Sequence, residues 1–318
     1  MADLYTKQGL LDKASLLLQD VLSARERVQG PNHPDVATAL TNRALLLVKQ
    51  AKYGEAQLLF ERALAINNTA LGLDHPSTLT SRAGMADLYT KQGLLDKASL
   101  LLQGVLSTRE RVQGPNHPDV ATALDDTALL LVKQRRYAEA EPLYQRSLAI
   151  RQKSLSHEHP DVALSLHNQA ELLRRQGKYP EAELLHERSQ AMREKVLGPE
   201  HPEVAQSLHT RALVLKAQGK YDEDEPLYKR GMEIHEKVYT PDHPNVAIIL
   251  SNRTKLLKEQ GREAEAYPLY QRALAIDEKA CGSDHPNVAA DLFCIANLFV
   301  KQGREAEAYP LYQRALAI

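Results

Sequence analysis

The dipeptide His-Pro recurs seven times in the 318 residues, at His33, His75, His117, His159, His201, His243 and His285, and every interval is 42 residues. A second marker keeps the same register. A Gln followed by Gly, Ala or Arg ends at Gly9, Ala51, Gly93, Arg135, Gly177, Gly219, Gly261 and Gly303. Two ladders with one period, and no insertion or deletion, restrict the chain to a repeat architecture in which each unit stacks on its neighbours. A chain of this length would otherwise suggest two compact domains. In an array, the number of repeats sets the length of the core instead.

Each period predicts two helices. After His-Pro, the apolar residues Val36, Ala37, Leu40, Ala44 and Leu47 follow in steps of three and four, the spacing of one helical face. Pro suits the first helical turn, where its missing N–H costs nothing. The residue before each His is Asn32, Asp74, Asn116, Glu158, Glu200, Asp242 or Asp284, and either it or the His can cap the helix. The Gln-Gly position ends the first helix, because Gly allows φ > 0.

The second helix carries Ala56, Leu59, Phe60, Ala63, Leu64 and Ile66, and is expected to run to about Leu71. Ala44 and Ala56 are small enough to let the paired helices approach closely. Pro142, Pro226, Pro268 and Pro310 fall early in second helices, a place tolerable only near a helix start. Neither helix can bury its stripe alone. The expected fold is therefore all-α, a solenoid of stacked antiparallel helix pairs forming a single domain over 1–318. Its repeats run 33–74, 75–116, 117–158, 159–200, 201–242 and 243–284, with a partial repeat 1–32 before them and a truncated one, 285–318, after.

The array carries near copies of itself. Residues 1–50 match 85–134 at 45 of 50 positions, and three of the five differences fall at Thr41/Asp125, Asn42/Asp126 and Arg43/Thr127. The block 261–276 recurs unchanged at 303–318. Neither end coincides with a repeat boundary or shows a polar capping helix, so the chain reads as part of a longer array or one whose ends stack on copies of itself.

Charge and composition remove several function classes. The net charge of −1 and the absence of Trp lack the basic, aromatic footprint of a nucleic-acid binder. No apolar run of 18 residues predicts a membrane span, and Met1 to Leu11 lacks a secretory pattern. Cys281 and Cys294 have neither metal nor redox spacing and fit a reducing, cytoplasmic compartment. The His-Pro histidines stand one per repeat, about 10 Å apart at helix-packing distance, too far for shared metal coordination. His157 and His159 flank Glu158 in a loop, where solvation is the simpler reading. There is no phosphate-cradling loop or nucleophile motif, and Glu139 and Glu141 sit at a solvated helix start. No catalytic residue, metal or cofactor is expected. Tyr144, Tyr228, Tyr270 and Tyr312 read as packing residues.

The motif His-Pro-x-Val-Ala, the Gln-Gly-x-Tyr turn and the run Glu-Ala-Glu-Pro-Leu-Tyr-x-Arg-Ala-Leu-Ala-Ile together resemble tetratricopeptide repeats of the kinesin light chain type, most clearly at His117–Lys153 and His243–Lys279. The resemblance implies a right-handed superhelix whose first helices line a concave groove for peptide segments of partner proteins, acidic ones among them. The family's groove asparagine matches Asn42, Asn168 and Asn252, and is replaced by Gly84, Asp126, Thr210 and Cys294. The residue before the turn Gln makes a cationic ladder of Lys7, Lys49, Lys91, Lys133, Arg175 and Lys301, broken by Ala217 and Glu259. One place before the asparagine come Asp125, His167 and His209.

Three departures accompany the likeness. Polar residues follow the groove position at Arg43, Thr127, Gln169, Arg211 and Arg253. Asp224 replaces a helix-contact Ala, and Glu263 and Glu305 replace the turn Tyr. A protein-binding scaffold is the expected function, with neither nucleic acid nor membrane as partner. Two other roles fit the same likeness: the sensor array of a nucleotide-switch ATPase receptor, and a self-assembling architectural spacer.

Overall fold

The computed structural model describes residues 11–156, 158–238 and 242–318, without the side chains of residues 12, 244, 245, 255, 256 and 259. The expectations at Met1, Lys7, Gly9 and His157 lie outside the described residues, as does that for the side chain of Glu259. The described residues form fifteen helices and no strand. First helices of the repeats are α2 (Pro34–Lys49), α4 (Pro76–Lys91), α6 (Pro118–Lys133), α8 (Pro160–Arg175), α10 (Pro202–Ala217), α12 (Pro244–Glu259) and α14 (Pro286–Lys301). Second helices are α1 (Leu11–Gln29), α3 (Tyr53–Ala70), α5 (Leu95–Gln113), α7 (Tyr137–Ser154), α9 (Tyr179–Leu197), α11 (Tyr221–Val238), α13 (Glu263–Cys281) and α15 (Glu305–Ala317). They gather into two packed units, Ser15–Pro199 and Glu200–Ile318, with residues 11–14 grouped with the latter.

Both markers of the period act at helix ends. The His itself is the cap. Its Nδ1 accepts the backbone N–H two residues on, at 3.1–3.2 Å, at His33, His75, His117, His159, His201 and His285. That satisfies one of the orphan amides of the first turn while Pro occupies the position that needs none. At the other end, Ala51 N–H bonds Val48 O at 3.1 Å and Lys52 N–H bonds Leu47 O at 3.0 Å. This is the paired closure of a Schellman motif, and it requires a left-handed residue just past the helix. Gly supplies it at 93, 177, 219, 261 and 303, whereas Ala51 and Arg135 are held at φ +57° and +61°.

Pro142, Pro226, Pro268 and Pro310 lie deeper than expected. Each is the sixth residue of its helix, one turn past the amides that need no partner. Each therefore removes an i→i−4 bond. All four lie on an exposed side, where water reaches the carbonyl left over.

The hairpins close on small residues. Ala44, Ala86, Ala128, Ala170, Ala212 and Ala296 of the first helices are fully buried, as are Ala56, Ala98, Ala140, Ala182 and Ala266 of the second. Asp224 occupies the same contact and is also fully buried. Val36, Ala37 and Leu40 pack with Ala63 and Ile66 inside one repeat. Phe60 and Leu47 then join Met85 and Leu88 of the next, so the core runs through the hairpin boundary. At about 1.5–3 kcal/mol for each fully buried large apolar side chain, this shared burial outweighs any single polar contact.

A row of ion pairs runs along the second helices, with Arg62–Glu26 at 2.7 Å, Arg146–Glu110 at 2.5 Å, Arg272–Glu236 at 3.0 Å and Arg314–Glu278 at 2.6 Å. Being largely exposed, each contributes about 0–1 kcal/mol. They favour one register more than they stabilise it.

The two strained turns give a direct test. Ala51→Gly and Arg135→Gly should each raise stability by about 1 kcal/mol by relieving the left-handed penalty. Far apart, they should add in a urea titration of the double variant. Unchanged or lower midpoints would contradict the strain.

Candidate functional site

In Ser15–Pro199 the first helices α2, α4, α6 and α8 stand side by side, neighbour against neighbour. One helical face repeats every three or four residues, so each contributes a short row to a common surface. At the groove position Asn42 is exposed, Asp126 and Asn168 are half-buried and Gly84 is buried. Lys49, Lys91, Lys133 and Arg175 are exposed, each the last residue of its helix, where the negative end of the helix dipole favours a cation.

Lys91, Lys133 and Arg175 lie within electrostatic reach of one another. Burial first, and then repulsion from Lys91, hold Lys133 below the usual ammonium range, with a smaller push from Arg175 and an opposing pull from Asp87. Arg175 also donates to Glu171 through Nε at 2.9 Å, and Arg174 shares that carboxylate. Beside the cationic row stands an acidic one. Burial, followed by the charges of Asp125 and Asp87 and opposed by Arg109, pushes Asp126 up to about 6.

The position one place before the asparagine turns inward. Asp125 is buried and its Oδ2 accepts from Arg151 Nη1 at 2.5 Å. Burial raises its carboxyl in spite of that guanidinium. His167 stacks edge-to-face on His186 of α9, ring centres 5.2 Å apart. His186 is fully buried with neither ring nitrogen hydrogen-bonded. Burial lowers His167 to about 4 and His186 to about 3.

His186 holds the position that carries Phe60, Leu102 and Tyr144 in the other second helices, directly beneath the first-helix surface. Phe60 explains why the asparagine ladder breaks at Gly84. A Cβ on Gly84 would lie 2.7 Å from Phe60 Cε1.

In Glu200–Ile318 the same positions arrange differently. His209 is buried, edge-to-face on Tyr228 at 5.3 Å, and its Nε2 lies 2.6 Å from Asn252 Nδ2. Beside it a cavity of about 230 Å³ opens between α10 and α12, lined by Glu203, Gln206, His209, Thr210, His235 and Ile248. Burial, with His243 nearby, lowers His235 to about 4. Tyr228 and Tyr270 are nearly inaccessible, Tyr144 is buried, and Tyr312 is half-buried. The polar residues Arg43, Thr127, Gln169, Arg211 and Arg253 are all half-buried.

Two features lie outside the positions singled out from the sequence. One is the acidic pair Asp87 and Glu171, at one repeat position of the first helices. The other is a polar column on the second helices, with Asn67, Arg109, Arg151, Arg193, His235 and Asp277 all buried at one repeat position. Its signal was present as a polar residue recurring every 42 places inside an apolar stripe.

The tetratricopeptide repeat profile matches residues 1–69, 77–153, 128–195, 161–234, 203–279 and 255–318. Among solved structures, the nearly identical TPR-like repeats assigned to a kinesin light chain of Podosopora anserina share 28% identity, covering 65% of this chain and 97% of that one, with a TM-score of 0.54. BtubC (BKLC) from P. vanneervenii shares 21% identity over 72% of this chain and 92% of its own, with a TM-score of 0.59. The apo quorum sensor NprR from B. thuringiensis matches the fold at 15% identity over 97% of this chain and 86% of its own, with a TM-score of 0.67. No curated protein matches the sequence. No described helix is long and apolar enough to cross a membrane.

Two variants test the packing beneath the surface. Gly84→Ala should destabilise by about 1–3 kcal/mol through overpacking, and Phe60→Leu should suppress that cost in the double variant. Additive losses in a double-mutant cycle would exclude the contact.

His167 and His186 have folded values below the ordinary 6.5, so the folded state binds fewer protons than the unfolded one. Their stabilising contribution is complete above pH 6.5 and is lost as pH falls toward 4 and 3. His186→Phe should flatten this acid slope and, by removing two unsatisfied nitrogens, add about 1–3 kcal/mol at pH 5. Chemical denaturation between pH 4 and 7 reads both, and an unaltered slope would refute the assignment.

Proposed function

The chain belongs to the tetratricopeptide repeat family, whose fold serves as a protein-interaction scaffold, and from that premise we propose that its first-helix surface binds an extended peptide segment of a partner protein. The observation that carries this reading is the row of Lys49, Lys91, Lys133 and Arg175, set on successive rigid helices and close enough for Lys133 to feel both neighbours. A wall preformed in this way binds without ordering itself first, so little of the contact energy is lost to reorganisation.

The charge pattern specifies the segment. Acidic side chains match the cationic row, and a basic side chain suits the opening between Asp87 and Asp126, where the carboxylates already repel one another. The segment is therefore read as acidic along one edge with a basic residue inside. Within Ser15–Pro199, Asn42 and Asn168 supply amide donors and acceptors for its backbone, and Asp125 and His167 support that surface from beneath.

The kinesin light chain repeats and BtubC are similar arrays, which favours a scaffold over a receptor sensor array or a spacer. We read residues 1–318 as one array, cytoplasmic, acting without a catalytic step or cofactor and with neither nucleic acid nor membrane as partner. End-to-end stacking of copies is a secondary property of such an array.

Reversing the row tests the proposal. Lys91→Glu with Lys133→Glu should weaken binding of a fluorescein-labelled Glu-rich peptide at least tenfold in anisotropy titrations, while far-UV circular dichroism stays unchanged. Binding by the parent chain should weaken as salt rises. An affinity untouched by the double reversal would remove this face as the site.

A further inference from the structure

In two repeats of Ser15–Pro199 a second helix meets the next first helix through polar side chains fourteen residues apart. Asn67 Nδ2 donates to Ser81 Oγ at 3.3 Å, and Arg151 Nη1 donates to Ser165 Oγ at 2.6 Å. In Glu200–Ile318 the same register sets Asp277 of α13 facing Asp291 of α14, with 3% and 4% of their surfaces exposed. The seam thus holds two acids where those two hold an amide or a guanidinium with a hydroxyl.

Ser251 Oγ of α12 donates to Asp291 Oδ1 at 2.9 Å. Asp277 is faced by Asp291 and Asn287 of α14, and by Cys281 one turn along its own helix. Two carboxyl groups can share a hydrogen bond only when one of them carries a proton, because carboxylates accept and do not donate. Without that proton, two like charges lie buried at a helix–helix contact, which burial and mutual repulsion both oppose.

We propose that the Asp277–Asp291 contact is a proton-operated latch between repeats 243–284 and 285–318, closed while Asp277 is protonated and released when it ionises. Burial, with the charge of Asp291 behind it, pushes Asp277 up to about 7, which places the transition near neutrality. The sign follows from linkage. A folded value raised above the unfolded one gives stability that is complete in acid and is lost as pH rises through the folded value. The dependence is opposite to that of His167 and His186, so alkali loosens this seam and acid loosens theirs.

The chain's two cysteines report on the latch. Cys281 follows Asp277 by one turn of α13, and Cys294 follows Asp291 by one turn of α14. Burial and the neighbouring Asp277 push the Cys281 thiol up to about 11.

The test uses the full chain and Asp277→Asn, which keeps a donor and removes the charge. Urea midpoints at pH 6 and pH 9, and the rate of thiol modification by N-ethylmaleimide at pH 8.5, are compared. The parent chain should lose midpoint between pH 6 and pH 9, and its Cys294, which does not share the direct charge effect of Asp277 on Cys281, should react at least tenfold faster than Cys294 of Asp277→Asn at the same pH. Asp277→Asn should lose less than half as much midpoint over the same range. If circular dichroism shows that Asp277→Asn does not fold, Asp291→Asn should give the same flattening from the other side. A parent midpoint equal at both pH values would overturn the latch, as would an Asn variant whose Cys294 reacts as fast as the parent's.

Discussion

The contact between the second helix of one repeat and the first helix of the next is the interaction on which the rest of the structure depends. A helical hairpin buries only the stripe where its two helices face each other, and its outer apolar side stays open until a neighbour covers it. Phe60 shows the consequence. It belongs to the hairpin of α2 and α3, yet it packs with Met85 and Leu88 of α4. The small residues at the hairpin contact permit this, because Ala44 and Ala56 let the helices close tightly enough for large side chains to reach across.

The same boundary admits polar groups, and there the repeats differ most. A second-helix position that is buried in six repeats carries Asn67, Arg109, Arg151, Arg193, His235 and Asp277 in turn. Each needs a different partner. Arg151 finds Asp125 and Ser165, Asn67 finds Ser81, and Arg109 donates to the backbone carbonyl of Asp119 at 2.9 Å. Buried ion pairs return little net stability once desolvation is counted, but a missing partner is costly. Variation at one member of the column therefore constrains the residue that can follow on the neighbouring helix. The near-copies at 1–50 and 85–134 differ mainly at that linked surface, at Thr41/Asp125 and the two places after it.

Surface charge then differentiates the exposed face. Cations at the ends of first helices need no special support, since the helix terminus already favours them. Acids half-sunk beside them do, and Asp126 has none beyond the distant pull of Arg109 and Arg151. A surface with cations along one edge and carboxylates crowded inside is complementary to a mixed-charge segment. Such patterning sets specificity and encounter rate more than total affinity.

The repeat period, the paired helices, their ends and the residues facing their cores were determined by the sequence alone, because each rests on local chemistry that recurs every 42 residues. Pro needs a first turn, a Schellman closure needs a left-handed residue, and apolar spacing of three and four needs a helix. The cationic row was legible for the same reason, as one residue at one place in successive helices.

What only the tertiary structure decided was how residues from different helices met. His33 rather than Asn32 became the cap, because the imidazole Nδ1 reached the amide of Asp35. Asp125 and His209 turned inward beneath the surface, Gly84 made room for a ring from the preceding helix, and Asp277 came to lie against Asp291. Those outcomes depend on the distance and rotation between packed helices, which no single helix encodes.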